Sequence, residues 1–324
     1  MEYVNLHGHS TFSHGDGHKL PRFHVERAAA LGYTAMALTE HGGNSSHFQL
    51  EKYALIAGIK PIFGLEAYTG AVDEEHRGQY KFHLTILARN QTGYRNLNKV
   101  ITQSWKDYHY HPTVSGVSLA ANREGLVALS GCTGSLLACS LVGGKNIPEP
   151  TSRDGYGWDD ARLVIHRFQR LFGDDFYLEV QPFWELDKSG RINRAYEKLS
   201  KETGVPLVVT CDVHYPRPED GEMQAILHAV HRGKHSIDDV LREWNYEVPM
   251  TLPESDRELA GRLMKTGLSR TAAWEAIETS ARIAEGCNVT LPKADRLQYP
   301  ISKEDDRPWT STGKRPSAIP SRVS

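Results

Sequence analysis

No run in this 324-residue chain approaches the ~18 consecutive apolar residues of a membrane-spanning helix, which excludes a helical membrane protein. The N-terminus lacks a basic segment followed by an apolar one, so no secretory leader is expected. Cysteine is scarce. Cys132, Cys139, Cys211 and Cys287 stand far apart with no C-x-x-C pair, which argues against a disulfide framework or a zinc ribbon. A reducing compartment, the cytoplasm, is the expectation. An excess of charge of one sign is also missing: 38 Lys and Arg face 40 Asp and Glu, for a net charge of −2. No long-range field therefore selects nucleic acid or a membrane surface, and any contact with nucleic acid must come from a local patch. There is no dinucleotide-binding glycine fingerprint, no internal repeat and no heptad pattern.

What the chain has in excess is histidine, with 16. The stretch "VNLHGHSTFSHGDGH" gathers His7, His9, His14 and His18 around Asp16. Solvated surface histidines would be spread evenly along the chain, whereas metal ligands would gather at the ends of strands.

Through residue 216, short apolar runs alternate with helical patterns. "YVNLHGH", "TAMALTEH", "KPIFGLEAYTG", "KFHLTILAR", "GLVALSGC", "DFYLEVQPF" and "VPLVVTCDVHY" read as strands, with segments such as "PRFHVERAAALG" and "TGYRNLNKVITQSW" as helices between them. The alternation predicts an α/β fold with a mostly parallel sheet, and without a dinucleotide site a barrel is favoured over an open sheet. The barrel is placed at residues 1–216, with a Gly-, Pro- and Asp-rich loop or insertion at about 143–158. Residues 217–302 read as a small, mostly helical extension that includes a short strand at "WNYEVPM". Residues 303–324 are polar and Pro-rich, and are expected to be disordered.

Metal-binding side chains fall at the strand ends. The first strand leaves with His7 and His9, followed by Asp16; the second ends in Glu40-His41; later strands carry Glu66, His83, Cys132, Asp212 and His214. Residues two apart on a strand point the same way, so His7 with His9, and Asp212 with His214, can grip one ion. Imidazole, carboxylate and thiolate together suit Zn²⁺, Mn²⁺ or Fe²⁺. The set exceeds what one ion needs. Two or three ions sharing a carboxylate account for it, and clustered ions suit phosphoester cleavage, where a bridging hydroxide attacks phosphorus.

Other residues read more plainly. Cys139 and Cys287 fall in helical patterns and are expected in the core, and Thr133 in "SGCTGS" is expected to cap a helix. His14 and His18 read as solvated loop residues; His24, His47, His76, His166, His228, His231 and His235 receive no role. Trp105, Tyr108 and Tyr110 in "WKDYHYHP" read either as a packed loop or as a surface for stacking unpaired bases.

The stretches "VNLHGHSTFSHGDG", "AAALGYTAMALTEHGG", "AGIKPIFGLEAY", "FHLTILARNQTGYRNLNKV", "GLVALSGCTGSLLA" and "PLVVTCDVHYPRPEDGE" resemble the PHP (polymerase and histidinol phosphatase) family, in its branch at the N-terminus of bacterial DNA polymerase III alpha subunits. The likeness covers roughly residues 1–300. It implies a distorted (β/α)7 barrel of the PHP type with two to three divalent ions. Position by position it implies that His7, His9, Glu66 and Asp212 hold one ion, Asp16, His41 and His214 a second, and His83 and Cys132 a third, with Glu66 bridging. Asp212, His9 and Glu66 are the residues expected to carry the reaction. Glu40 stands where the family has Asp, which bears on the support of the ligands and not on the ligands themselves.

The expected activity is metal-dependent phosphodiester hydrolysis at a single-stranded DNA 3′ end, a 3′–5′ exonuclease of the proofreading type. The alternatives are a phosphomonoesterase on a small substrate, like histidinol-phosphate phosphatases, or a non-catalytic module that binds a separate polymerase or other replisome protein. The sequence stops where the polymerase palm would begin and shows no D-x-D pair of the palm type, so no polymerisation is expected of it alone.

Overall fold

The structure is a computed structural model that describes residues 2–70, 81–144, 147–231, 233, 236, 238 and 248–293. Residues 1–290 form one unit, and residues 291–324 a second, of which only 291–293 are described. The expected disordered tail at 303–324, and His76 and His235, lie outside the described residues; so does most of "WNYEVPM", whose described end, 248–250, carries no strand. Among the described residues no helix is long and apolar enough to cross a membrane.

Among the described residues seven strands make one sheet: β1 Ala35–Leu38, β2 Lys60–Thr69, β3 Phe82–Ala88, β4 Thr113–Val114, β5 Leu126–Leu129, β6 Phe176–Val180 and β7 Leu207–Val209. Their order is β1-β2-β3-β5-β6-β7, with β4 pairing β2 off that path. The helices α1 Pro21–Ala30, α2 His47–Ala57 and α3 Gln91–Lys106 follow the start and stop signals in the sequence. Pro21 opens α1, Gly58 closes α2 in the left-handed conformation (φ 72°), and the Asn90 side chain accepts from the Gly93 N–H to cap α3. Short α4 (Gly116–Ala121) and α5 (Leu136–Val142) flank β5, while α6 (Trp158–Phe172) and α7 (Asp187–Thr203) flank β6. The cap of α5 is Ser135, whose side chain accepts from the Ala138 N–H; the expected cap, Thr133, lies too far upstream.

The sheet departs from the mostly parallel expectation at β3, which runs antiparallel to both β2 and β5. Hydrophobic periodicity records which face is buried, not which way a strand runs. The opening segment differs as well. Read as a strand, it makes only isolated bridges, Asn5 with Met36 and Gly8 with Val213. Its backbone nonetheless serves two neighbours. Ala37 and Thr39 donate to the carbonyls of Asn5 and Gly8, at 2.8 Å each, while His9 donates to Val213 (2.7 Å) and Val213 to His7 (3.1 Å). The first residues thus join the β1 edge to the stretch just after β7, and the curled sheet closes on them.

Beyond the strands, α8 (Gly221–His231), α9 (Asp256–Lys265) and α10 (Arg270–Gly286) make up the described part of the helical extension. Ile283, Ala284 and Cys287 at the end of α10 share a core cluster with Val4, Leu6, Ala37, Ile62, Leu87, Val127 and Val208 from the sheet. Ser280 accepts from the Val4 N–H, and the Asp256 carboxylate accepts from Glu2 and Tyr3, so this extension pins the closing segment. Cys139 is also buried, as its helical pattern implied.

Two buried histidines carry a pH dependence. His24 Nε2 donates to the His18 carbonyl, and His47 Nε2 to the Gly64 carbonyl. Burial drops each to about 4. Unfolded imidazoles titrate near 6.5, so the unfolded chain binds more protons as the pH falls from about 6.5 to about 4. Stability present above that window is lost through it, by up to about 3 kcal/mol per histidine. Thermal melts across it are expected to show the loss, and His24→Gln with His47→Gln to flatten the slope.

Candidate metal centre

The direction of β3 shapes the site. In the antiparallel register, Tyr68 lies opposite His83 and Glu66 opposite Thr85. His83, near the start of its strand, therefore opens on the same mouth as the ends of its parallel neighbours. His41 follows β1, Cys132 follows β5, and Asp212 and His214 follow β7, while Glu66 projects from β2 itself. His7 and His9 come from the closing segment, and Asp16 from the turn after it.

All the expected ligand residues meet there. His7 Nε2 lies 3.4 Å from Glu66 Oε1 and 3.3 Å from Asp212 Oδ1. His9 Nε2 lies 3.4 Å from Glu66 Oε2 and 3.5 Å from Asp212 Oδ1. His41 reaches Asp16 Oδ2 (2.6 Å) with one ring nitrogen and Glu66 Oε2 (2.7 Å) with the other. His214 Nε2 lies 3.1 Å from Asp16 Oδ2. On the far side of Glu66, His83 Nδ1 lies 2.7 Å from Oε1, and Cys132 Sγ lies 3.3 Å from His83 and 3.6 Å from Glu66.

These groups hold one another's charge. Burial works against ionisation of Glu66, Asp212 and Asp16, yet the surrounding histidines keep all three below the ordinary carboxylate range. Burial likewise opposes the proton on His7, but Asp212, Glu179 and Glu66 outweigh it and raise its pKa. The same balance lifts His41 to about 10 and His214 to about 9. His9 is the exception: burial and the nearby charge of His41 push it down to about 3. Buried carboxylates here require positive charge, and protons on imidazole provide it. A divalent cation would supply the same charge and release those protons.

The residues fit such a cation. His7 Nε2, His9 Nε2, Glu66 Oε2 and Asp212 Oδ1 are buried and make no well-aligned hydrogen bond, an expensive state for polar atoms unless an ion engages them. The 3.3–3.5 Å between the two imidazoles and the carboxylates of Glu66 and Asp212 also match the roughly 3.3 Å between neighbouring tetrahedral ligands on bonds of about 2.0–2.1 Å. Three clusters have donor atoms close enough to share an ion: His7, His9 and Glu66; His9, His41 and His214; and His41, Glu66 and His83.

The supporting groups are fixed in turn. The Ser13 hydroxyl donates to Glu40 Oε2 (2.6 Å), accepts from the His41 N–H (3.1 Å) and lies 2.7 Å from His9 Nδ1. The carboxylate of Glu40 also accepts from the Ser10 N–H and hydroxyl. The longer side chain at this position is thus buried and fully engaged. Asp212 sits at φ 45°, a left-handed conformation that costs a non-glycine residue about 1–3 kcal/mol, and Gln181 Nε2 donates to its Oδ2.

Two contributors escape a reading of the sequence. Glu179, in β6, is wholly buried and accepts from His7 Nδ1 (2.6 Å), the Thr85 and Thr210 hydroxyls (3.0 and 2.5 Å) and the Gly131 N–H (3.1 Å). Its signal was a carboxylate in a strand buried along its whole length. His228, given no role from the sequence, places Nε2 against Asp16 Oδ1 from α8; only the packing of α8 brings it there. His14 is exposed and meets His231 edge-to-face, while the His18 N–H donates to the His214 carbonyl. The mouth is a cavity of about 490 Å³ lined by Asp16, His41, Tyr68, Lys81, His83, Cys132 and neighbouring residues.

A family model described as PHP domain matches residues 5–182. DNA polymerase III subunit alpha of Borreliella burgdorferi is 31% identical over 312 residues, covering 93% of this chain and 25% of that protein. The same subunit of Treponema pallidum is 31% identical over 304 residues, covering 92% and 24%. The chain spans about a quarter of the length of the curated relatives it matches. Among solved structures, a histidinol phosphate phosphatase of Lactococcus lactis complexed with zinc, L-histidinol and phosphate superposes with a TM-score of 0.38 at 16% identity, over 72% of this chain and 95% of that one.

Proposed function

This chain belongs to the PHP domain family, and from that premise we propose that it is a metal-dependent phosphoesterase whose substrate is the 3′ end of single-stranded DNA. The observation that carries the reading is the inward convergence of His7 Nε2, His9 Nε2, Glu66 Oε2 and Asp212 Oδ1, buried and without well-aligned hydrogen bonds. In this reading His7, His9, Glu66 and Asp212 hold one divalent ion, Asp16, His41 and His214 a second, and His83 and Cys132 a third with Glu66 shared. Zinc, manganese and iron all suit the donor set. When bound, such ions supply Lewis-acid charge to a phosphoryl group and acidify water.

The chain's own residues do the rest. The carboxylates of Asp212 and Glu66, kept ionised by their histidines, are placed to accept and relay the proton of the attacking water. Tyr68 and Lys81 on the cavity wall meet the incoming phosphate. The DNA context comes from relatives named as replicative polymerase subunits.

A second reading, a phosphomonoesterase on a small substrate, is favoured by the net charge of −2, since an autonomous nuclease carries a basic track. Incubation with Mn²⁺ or Zn²⁺, 5′-labelled single-stranded DNA and p-nitrophenyl phosphate separates the two. A ladder shortening from the 3′ end supports the exonuclease, release of p-nitrophenol alone supports the monoesterase, and silence on both substrates points to a replisome-binding module.

Ser13→Ala tests the supporting shell. Without the hydroxyl, His9 Nδ1 and the Glu40 carboxylate lose their link, and metal affinity is expected to fall about 10–100-fold. Competition titration against a chelator measures this, with circular dichroism confirming an unchanged fold.

A further inference from the structure

Residues 107–112 join α3, whose last turn carries Trp105, to β4, and they reach the cavity wall where His111 meets Tyr68. The segment is docked firmly at its two ends. Trp105 Nε1 donates to the Gly42 carbonyl (2.8 Å), one residue beyond His41, and the Gly42 N–H donates to the Glu66 carbonyl (3.0 Å). Pro112 packs so closely on Gly42 that a β-carbon there would lie 2.6 Å from its ring, while β4 pairs with Tyr68 and Thr69. The His111 ring meets Tyr68 edge-on, with centroids 5.3 Å apart, and Tyr68 stacks on His41 at 5.4 Å and 14°.

Between those anchors the aromatic rings face water. Trp105 and Tyr108 stack at 5.7 Å and 16° while remaining 54% and 53% exposed, and Tyr110 is 81% exposed. Two of the polar ends are already engaged: Trp105 Nε1 at Gly42, and the Tyr108 hydroxyl at the Tyr110 carbonyl (2.9 Å). What Trp105 and Tyr108 still offer is flat apolar surface. Tyr110 stands at the tip of a tight turn in which the His109 N–H donates to the His111 carbonyl, and its φ of 61° is a left-handed conformation that a bulky residue rarely adopts. The His109 ring meets the Tyr110 ring edge-on at 4.6 Å and 80°, a contact that leaves the tyrosine largely in water on its strained backbone.

We propose that Trp105, Tyr108 and Tyr110 form a platform on which the unpaired bases of a nucleic-acid strand stack, leading its end into the metal centre. Three features favour a strand over a protein partner. The rings offer faces without hydrogen-bonding groups, which suits sequence-tolerant stacking. A cation stands where the platform meets the cavity, with Lys81 over the Tyr68 ring at 4.2 Å, suited to the phosphates between bases. The platform is continuous with the cavity wall through Gly42, His111 and Tyr68. Its use in catalysis rests on the phosphodiesterase reading; its affinity for a strand does not.

The test is a fluorescence-anisotropy titration of a labelled short oligothymidylate, and of an abasic strand of equal length, with no added metal. The oligothymidylate is expected to bind, the abasic strand to bind at least about tenfold more weakly, and Trp105→Ala or Tyr110→Ala to weaken oligothymidylate binding about tenfold. Trp105→Phe, which keeps a ring but loses the bond to Gly42, is expected to retain most of the affinity. The proposal is overturned by absent binding, by equal affinity for the abasic strand, by wild-type affinity in both alanine variants, or by a loss in Trp105→Phe as deep as in Trp105→Ala. Equal affinity with and without bases would assign the binding to the sugar-phosphate backbone and not to the aromatic faces. Turnover of bis(p-nitrophenyl) phosphate by the unaltered chain with Mn²⁺ reports on the phosphodiesterase reading by itself, so the failure of one is told from the failure of the other.

Discussion

Asp212→Asn is expected to lower phosphodiester hydrolysis by at least about 10²–10³-fold and to leave the chain short of bound metal. Asp212 Oδ1 lies 3.3 Å from His7 Nε2 and 3.5 Å from His9 Nε2. Burial alone would raise the pKa of this carboxyl, but His7 and His214 hold it below the ordinary range, so it enters the site charged. The amide removes that charge and keeps the shape. Asparagine is preferable to alanine because the backbone here is left-handed, a conformation Asn tolerates better than other non-glycine residues. Elemental analysis of the purified variant beside a steady-state assay checks both halves; full activity with depleted metal would end the metallo-phosphoesterase reading.

Glu179→Ala carries the largest expected effect on stability. Its carboxylate accepts from His7, Thr85, Thr210 and Gly131 with no exposure to water. Removing it leaves a buried imidazole and two buried hydroxyls without their acceptor. Breaking such a pair costs about 3–5 kcal/mol, or about 4–7 °C in thermal midpoint at this size. The loss also frees the His7 ring to rotate, so metal affinity is expected to drop about 10–100-fold. Glu179→Gln, which preserves volume and one acceptor, is expected to recover part of the stability and little of the affinity. A melt with a metal titration on both variants separates the two contributions. A variant as stable and as tightly metallated as the parent would remove Glu179 from the site.

The expected ligands were legible because most follow or end an apolar run, and their positions along the chain were enough to mark one mouth. Direction was not legible. "KFHLTILAR" has the same alternation whichever way it runs, so β3 read as one more parallel strand, and its reversal explains why His83 sits at the start of its strand and not at the end. The opening segment also misled, since "YVNLHGH" has the pattern of a strand but makes only single bridges to its two neighbours. Glu179 and His228 were hidden for a different reason. Each acts through one partner remote in the chain, His7 and Asp16 respectively, and no spacing records such a pair. The aromatic segment at 105–112 showed its composition in the sequence but not its exposure.

The closing segment has a consequence for how the protein comes into being. His7 and His9 are made well before Val213, yet the carbonyl and amide they bond belong to that residue, and Asp212 and His214 flank it. A nascent chain must therefore carry these two histidines without Asp212 until almost the whole sheet has emerged. Contacts this remote form late, although the entropy of closing so long a loop grows only slowly with its length. Metal capture thus marks the completion of translation through this region, and a chain arrested short of Val213 would present histidines without the carboxylate that gathers them.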